Sequence, residues 1–486
     1  MSGPVKLRHL IGGARVTGAG AQWRSVNPAR PEETVGVGRL ADAAQVTAGI
    51  DAAAAAAGDW AARPIAERAA ILRGAAAILR GNAEAWGAEL AAEEGKTRAE
   101  GVAEFARAAA VLDYHAGEDG RDAGEVHHSP RVGERIEVLH RPLGVVGLIT
   151  PFNFPVAIPA WKAAPALVHG NTVVLKPSPL AALPALRLAE ALERAGLPPG
   201  VLNLVLAEPP DTDPLLADPR VAAVSFTGST AVGRSIAAAC AARGVPVQAE
   251  LGGKNPAVVL GDADLDLAAA QVLAGAFDSA GQKCTATSRV AVVREVAEEF
   301  IRQLVAGADA RVLGDPLAEG VDLGPLIGAD ARSRALSGVR AAVDAGAWLL
   351  TGGEGAAPAD CPDGWFLEPT VLRVPDAANP AWVEELFAPV LAVLVVDGAE
   401  AAFAAADAGE LGLSAAVFTD SATAMGRAVE LLDTGVLHLN SATTGADPHV
   451  PFGGAGASGY GPREQGRAAR EFFTRPVTVY LAGGRR

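Results

Sequence analysis

The period of apolar and polar positions changes several times along the chain, and each change marks an element. Residues 1–37 carry short apolar stretches broken by Gly12-Gly13 and Asn27-Pro28, and read as short strands and turns. From Ala41 to Trp60 the chain is rich in alanine and other good helix formers, with Asp42 placed to cap the helix. Further helices are predicted over 65–80, 82–94 and about 98–115, the first two separated near Gly81-Asn82. Residues 117–133, rich in Gly, Asp and His, read as a loop or hairpin tip. Glu134 to Arg141 alternates, the pattern of a strand with one exposed face.

From Val145 the pattern becomes short apolar runs between helical stretches. Runs at 145–150, 172–175, 202–206 and 222–226 have the uniform apolarity of buried parallel strands. Helices are predicted over 181–195, where Gly196 and Pro198-Pro199 end it, and over 230–242. Residues 252–450 repeat the alternation, with strands at 256–260, 289–293, 390–396 and 414–419 and helices near 264–280, 294–308 and 329–345. Such alternation predicts an α/β chain with two doubly wound parallel sheets. Ligands of such sheets bind beyond the carboxyl ends of the strands, where Asn153, Lys176 and Gly228-Ser229 fall. After a Gly-rich stretch at 453–461 come a short helix from about Pro462 and an alternating end, 476–481, fit to be a strand.

Composition narrows the function. At 486 residues and 50% hydrophobic content, the chain can hold two or three domains with a large core. A net charge of −15 argues against nucleic acid and anionic membrane surfaces as partners. The Ala-rich runs near Ala53 and Ala108 are too polar and interrupted to span a bilayer. Cys240, Cys284 and Cys361 have neither metal-ligand nor disulfide-framework spacing, which suits a reducing cytoplasm, and no signal peptide is expected. No metal is expected either: His127-His128 lacks a carboxylate or Cys at ligand spacing and reads as exposed loop histidines.

Two segments carry candidate chemistry. Glu250-Leu251-Gly252-Gly253-Lys254 supplies a carboxylate and Gly281-Gln282-Lys283-Cys284 a thiol, 34 positions apart. A thiolate is a strong nucleophile, and a carboxylate can serve as its base or activate a water. Taken singly, each has a plainer reading, a small buried hydrophobe and a solvated turn acid.

Together the two segments resemble the signature of the aldehyde dehydrogenase superfamily. Further motifs in the same order carry the resemblance over nearly the whole chain: Thr150-Pro151-Phe152-Asn153-Phe154-Pro155, Lys176-Pro177-Ser178, Phe226-Thr227-Gly228-Ser229-Thr230, Glu384-Glu385-Leu386-Phe387-Ala388-Pro389 and Pro451-Phe452-Gly453-Gly454. The resemblance implies an NAD(P)-binding domain from 1–119 and 142–251 and a catalytic domain over 252–457. Residues 120–141 and 470–486 would form an oligomerisation arm and tail. It implies oxidation of an aldehyde to an acid, with Cys284 as nucleophile, Glu250 as base for the hydrolytic water, Asn153 as oxyanion donor and Lys162 near the site. An amide donor of this kind is typically worth roughly 3 kcal/mol of barrier. Cofactor contacts would come from Thr150, Pro151, Phe152, Lys176, Ser178, Pro179, Leu251, Glu385 and Phe387. The pyrophosphate would sit at Gly228-Ser229, at the N-terminus of the 230–242 helix, where backbone N–H groups and the helix dipole favour an anion. The family's fold suggests that the end 476–481 pairs as a strand with the 134–141 arm, and edges that a lone chain would leave unpaired in these alternating segments predict a homodimer or homotetramer.

The chain departs from the family pattern at four places. Leu206-Ala207-Glu208-Pro209-Pro210 replaces a Gly-rich turn, Ala388 a glycine, Gly456 a lysine, and Pro179 the acid that selects NAD. The last predicts relaxed cofactor use, leaning to NADP. The segments 281–289 and 449–466 look like those of dehydrogenases for α-ketoglutarate semialdehyde, with Arg289 or His449 as donors to an anionic substrate. A hydrophobic or aromatic aldehyde in a tunnel lined by Phe154 and Trp161 is the other reading. Two rival functions are a CoA-acylating dehydrogenase, whose members generally lack the glutamate at 250, and a non-catalytic family member.

Overall fold

The computed structural model describes residues 3–482; residues 1–2 and 483–486, included in the first segment and the tail above, lie outside the described residues. Four helices form the first helical layer: α1 Ala43–Ala62, α2 Ile65–Gly81, α3 Ala83–Glu94 and α4 Arg98–Ala116. Asp42 caps α1 in a capping box with Gln45, and Thr97 caps α4 in another with Glu100. Their apolar faces bury Trp60, Leu72, Leu90 and Phe105 against the first sheet and its helices.

That sheet has eight strands. Its parallel core runs, in spatial order, Val247–Glu250, Val221–Thr227, Val145–Ile149, Thr172–Lys176 and Leu202–Leu204. Chain order therefore reverses between strand 145–149 and strand 221–227, and a crevice opens at the carboxyl ends of strands at such a switch point. The second sheet has seven strands, ordered 348–351, 370–373, 390–396, 287–293, 255–259, 414–418 and 436–439, parallel except for the first. Phe277, Trp382, Leu391 and Phe418 are buried around it. No helix among the described residues is long and apolar enough to cross a membrane.

Several expectations need correction or refinement. Of the two readings of 117–133, the hairpin holds, with more strand than expected: Gly124–His128 pairs with Glu134–Pro142, and the tip is 129–133. The residues of Gly124–His128 are mostly exposed, so no apolar alternation marks that strand. The tail strand, Thr474–Ala482, pairs antiparallel with Glu134–Pro142 along its whole length, Val477 opposite Leu139. This is the pairing the resemblance suggests for the tail and the arm; it satisfies one edge of each within the chain, so only the outer edges of Gly124–His128 and Thr474–Ala482 remain for a partner. The helix predicted over 264–280 stops at Phe277, because Ser279 and Ala280 adopt left-handed backbone angles (φ 56° and 53°). The last helix begins at Gly466 rather than Pro462. The elements at 247–250, 348–351, 370–373, 399–407, 422–431 and 436–439 went unpredicted; they are short, and the helices among them are Ala-rich without a sharp apolar stripe.

Candidate active site and cofactor cleft

Cys284 lies in the loop between the helix Leu265–Phe277 and the strand Thr287–Val293, and the second sheet holds that loop from below. The amide of Asn255 donates to the carbonyls of Cys284 (2.8 Å) and Ala286 (2.9 Å), while its oxygen accepts from Ser414 N–H at 3.0 Å. From the other side, Ser279 N–H and Oγ donate to Glu100 Oε1 at 2.7 and 2.8 Å. Left-handed residues without glycine's freedom cost about 1–3 kcal/mol each, so Ser279 and Ala280 persist because such contacts hold them. Gly281 follows at φ 66°; a Cβ there would lie 2.3 Å from the Ala388 carbonyl oxygen, so only glycine fits.

The first sheet brings its residues to the same place. Asn153 follows strand 145–149, is buried, and donates through Nδ2 to the Gln282 carbonyl at 2.9 Å, two residues before the thiol. An amide NH₂ has two hydrogens, so one donor remains. Lys96 Nζ donates to the Asn153 carbonyl at 2.7 Å and to Glu104 Oε2 at 2.8 Å. Glu250 ends strand 247–250 and accepts from Gly454 N–H at 3.3 Å. Beside it Lys162 pairs with Glu464 and donates to Ser225 Oγ at 2.8 Å, all three buried.

Electrostatics set the protonation states. Burial, and then the Glu385 and Glu250 carboxylates, push the Cys284 thiol up to about 12. Burial and Glu464 hold the Glu250 carboxyl well above the usual range, against Lys162 and Arg463. The thiol therefore carries its proton at neutral pH, and a basic carboxylate stands in the same field.

A cavity of about 320 Å³ opens onto Cys284, with Phe154, Trp161 and Phe452 as an aromatic wall and Lys96, Arg107 and Lys283 as cations. Phe154 and Trp161 are thus where the tunnel reading puts them. Arg289 and His449 are not. Arg289 is buried in the second sheet, donates to the Ala406 and Ala408 carbonyls at 2.9 Å each, and lies over the Trp382 ring. Its seven-residue strand reads into the sheet, so its guanidinium ties down the end of the helix Ala399–Asp407. His449 is exposed and does not line the cavity. Missed instead were Glu100, Ala103, Glu104 and Arg107, which line the cavity from α4. Their spacing of three and four residues is one helical face, a legible signal once α4 is placed.

At the switch-point crevice lie residues expected to touch a dinucleotide. Thr150 Oγ1 and Thr227 Oγ1, at the ends of the two strands that flank it, are buried without a hydrogen-bond partner. The helix Thr230–Arg243 begins there, and its N-cap Ser229 makes no side-chain cap, so its first N–H groups are open to an anion. Gly228 N–H instead donates to the Glu250 carbonyl at 3.1 Å. Lys176, at the end of its strand, has its pKa lowered by burial, while Glu208 acts on it in the opposite sense. Ser178 Oγ accepts from Leu180 N–H at 3.3 Å, and the Pro179 carbonyl accepts from Trp23 Nε1 at 2.9 Å. Glu385 Oε1 accepts from Gly253 N–H at 3.1 Å, and Lys254 acts on that carboxyl against the effect of burial. Phe387, at φ 52°, meets Phe152 edge to face with centroids 5.9 Å apart, and Leu251 is buried beneath the helix. Orphan hydroxyls, an uncapped helix and a strand-end lysine are a donor set that fits a dinucleotide phosphate and its riboses.

A doubly wound sheet with donors at its switch point, facing a half-buried thiol in the field of two carboxylates, is the frame of a nucleotide-dependent oxidoreductase. The chain belongs to the aldehyde dehydrogenase family: the model of the "Aldehyde dehydrogenase family" matches residues 16–479. It is 40% identical over 456 residues to the α-ketoglutaric semialdehyde dehydrogenase of Bacillus subtilis (strain 168), covering 94% of this chain and 93% of that one. It is 39% identical to a betaine aldehyde dehydrogenase of Cereibacter sphaeroides, covering 96% and 95%. Among solved structures it superposes on an NAD-dependent aldehyde dehydrogenase from Sinorhizobium meliloti with a TM-score of 0.95 at 33% identity (99% and 96% covered). On an E. coli NADP dependent enzyme the TM-score is 0.94 at 32% identity (98% of each). The protein is an oxidoreductase acting on aldehydes.

Proposed function

We propose that the protein oxidises a small aldehyde to its acid with NAD or NADP, through an acyl-enzyme on Cys284 that water hydrolyses. The observation that carries this reading is that Cys284 lines an open cavity, with the Asn153 amide bonded to the Gln282 carbonyl two residues before it and the Glu250 carboxylate acting on its thiol. Glu250, a carboxyl made more basic by burial and by Glu464, takes the thiol proton directly or through a water. The Cys284 sulfur then bonds to the carbonyl carbon, and the free Asn153 N–H and the Cys284 backbone N–H hold the oxyanion. When bound, the nicotinamide ring supplies the acceptor for the hydride of that carbon. Cys284 is left as a thioester; Glu250, having released the thiol proton to solvent, removes a proton from the water that attacks the acyl carbon, and the departing Cys284 sulfur takes that proton back as the acid leaves. Lys162 neutralises Glu464 and thereby moderates the negative field on Glu250.

The eight-stranded sheet, with 1–119 and 142–251, serves as the cofactor domain and 252–457 as the catalytic domain. Thr150, Thr227, the Ser229 helix end and Lys176 hold phosphate and adenine-side ribose, and Glu385 the nicotinamide-side ribose. Pro179 removes the acid that would reject a 2′-phosphate, but Glu208 stands beside Lys176 and partly restores that charge. Use of both cofactors follows from this balance. The likeness to the Bacillus subtilis relative supports α-ketoglutarate semialdehyde as substrate. The arm, with Val126, Leu139, Tyr480 and Leu481 exposed, supports homo-oligomerisation, and three unpaired cysteines suit a cytoplasmic protein. Glu250 favours hydrolysis over acyl transfer to CoA. The test is an aldehyde panel scored by NADH and NADPH formation, with and without CoA. Turnover independent of CoA is expected; acyl-CoA as the product, or no turnover with any aldehyde, contradicts the reading.

A further inference from the structure

Similarity alone does not choose between an anionic and a cationic aldehyde, because relatives named for each lie at nearly the same identity. The charges on the cavity wall do. Lys96 is spent on Glu104 and on the Asn153 carbonyl. Glu104 is spent as well: Oε1 accepts from Val156 and Ala157 N–H at 2.9 and 3.1 Å, and Oε2 from Lys96. Glu100 is taken up by Ser279 and Thr97. Lys283 faces Asp278 and Glu100. Arg107 is different. Among the described residues its guanidinium makes no hydrogen bond and no ion pair, although it lines the same cavity as the thiol and is partly desolvated there. The carboxylates in its field are the exposed Asp447 and the committed Glu104. Ala103, one turn before it on the same face of α4, leaves room for a ligand.

Five N–H donors in a planar fork, partly withdrawn from water and without acceptors, match a carboxylate presented edge-on. Resting on the reading that aldehydes enter this cavity to reach Cys284, we propose that Arg107 receives the substrate's own carboxylate. It thereby selects aldehydes bearing an acid at the far end and rejects quaternary ammonium aldehydes. The aromatic wall of Phe154, Trp161 and Phe452 packs the carbon chain between the two ends. A chain of few carbons, as in α-ketoglutarate semialdehyde, fits a space of about 320 Å³.

The test compares wild type with Arg107→Met and Arg107→Lys on α-ketoglutarate semialdehyde, succinate semialdehyde, pentanal and betaine aldehyde. Loss of a charge-assisted bidentate contact corresponds to about 10- to 100-fold in kcat/KM. The acid aldehydes should lose that factor in Arg107→Met, chiefly through KM and at least tenfold more than pentanal loses. Arg107→Lys, which keeps the charge but not the fork, should fall between. Betaine aldehyde should gain relative to pentanal. Glutarate should inhibit pentanal oxidation by wild type competitively, and its Ki should rise in Arg107→Met; this reading is independent of the acid aldehydes. Equal losses on pentanal and the acid aldehydes, or no loss on either, overturn the role of Arg107 while leaving the aldehyde dehydrogenase reading intact. Selective loss on succinate semialdehyde, with α-ketoglutarate semialdehyde untouched even by wild type, upholds Arg107 and overturns only the substrate named above.

Discussion

Glu100 joins the first turn of α4 to the loop that carries the thiol, and its removal separates scaffold from site. One oxygen accepts from Ser279 N–H and Oγ; the other accepts from Thr97 N–H (2.9 Å) and Oγ1 (3.0 Å). Thr97→Ala removes only the cap and should cost about 1 kcal/mol. Glu100→Ala removes the glutamate's half of the capping box and both loop contacts, leaving the Thr97 hydroxyl on the backbone N–H of residue 100. Each charge-assisted hydrogen bond is worth about 1.5–3 kcal/mol. Release of left-handed Ser279 and Ala280 returns about 1–3 kcal/mol each, so the two terms nearly cancel in stability. The expected loss in Glu100→Ala is therefore only about 1–3 kcal/mol, little beyond that of Thr97→Ala. Activity should diverge sharply. A relaxed loop misplaces Cys284 relative to the Asn153 amide, and displacement of about 1 Å typically costs about 100-fold in rate. The assays are urea unfolding midpoints and kcat for both variants on one aldehyde. Similar kcat in the two variants would show that the clamp does not position the thiol, and the reasoning fails.

Three further outcomes follow. Glu208→Gln should raise kcat/KM for NADP relative to NAD, and Pro179→Glu should lower it; a wild-type preference for NAD of a hundredfold or more, unchanged in Glu208→Gln, contradicts the assignment of Glu208. Burial lowers His115 and His169 to about 3, so the unfolded chain binds more protons between pH 6.5 and 3. Stability should fall with acid across that window by about 1.4 kcal/mol per pH unit per histidine, and His115→Met should flatten the slope in urea titrations. Deleting residues 474–486 removes the strand paired with Glu134–Pro142 and should reduce the assembly measured by light scattering, whereas an assembly of undiminished mass contradicts a role for the arm.

Much of this was legible in the chain itself. Uniform apolar runs such as 145–150 and 390–396 have one stable fate, a buried parallel strand, and Asp42 announces its helix by cap chemistry. Cys284, Glu250 and Asn153 stood out because their motifs are local in sequence. Arg289 and His449 misled because a charged residue near a motif carries no sign of which way its strand turns it; Arg289 faces carbonyls in the sheet, not the cavity. Arg107 was hidden because it lies in α4, 177 positions before Cys284, and only packing brings it to the thiol. The strand Gly124–His128 escaped for a related reason: it gains its order from pairing, not from a buried face.

The central claim is that Cys284 carries the acyl group and that Glu250 drives its release. It is tested most directly by rapid-quench kinetics and peptide mass analysis of Glu250→Gln mixed with aldehyde and cofactor. The account predicts a burst of about one NAD(P)H per site, slow turnover thereafter, and an acyl mass on the Cys284 peptide. An unmodified Cys284 after the burst, or an acyl group on Cys240 or Cys361, would contradict it.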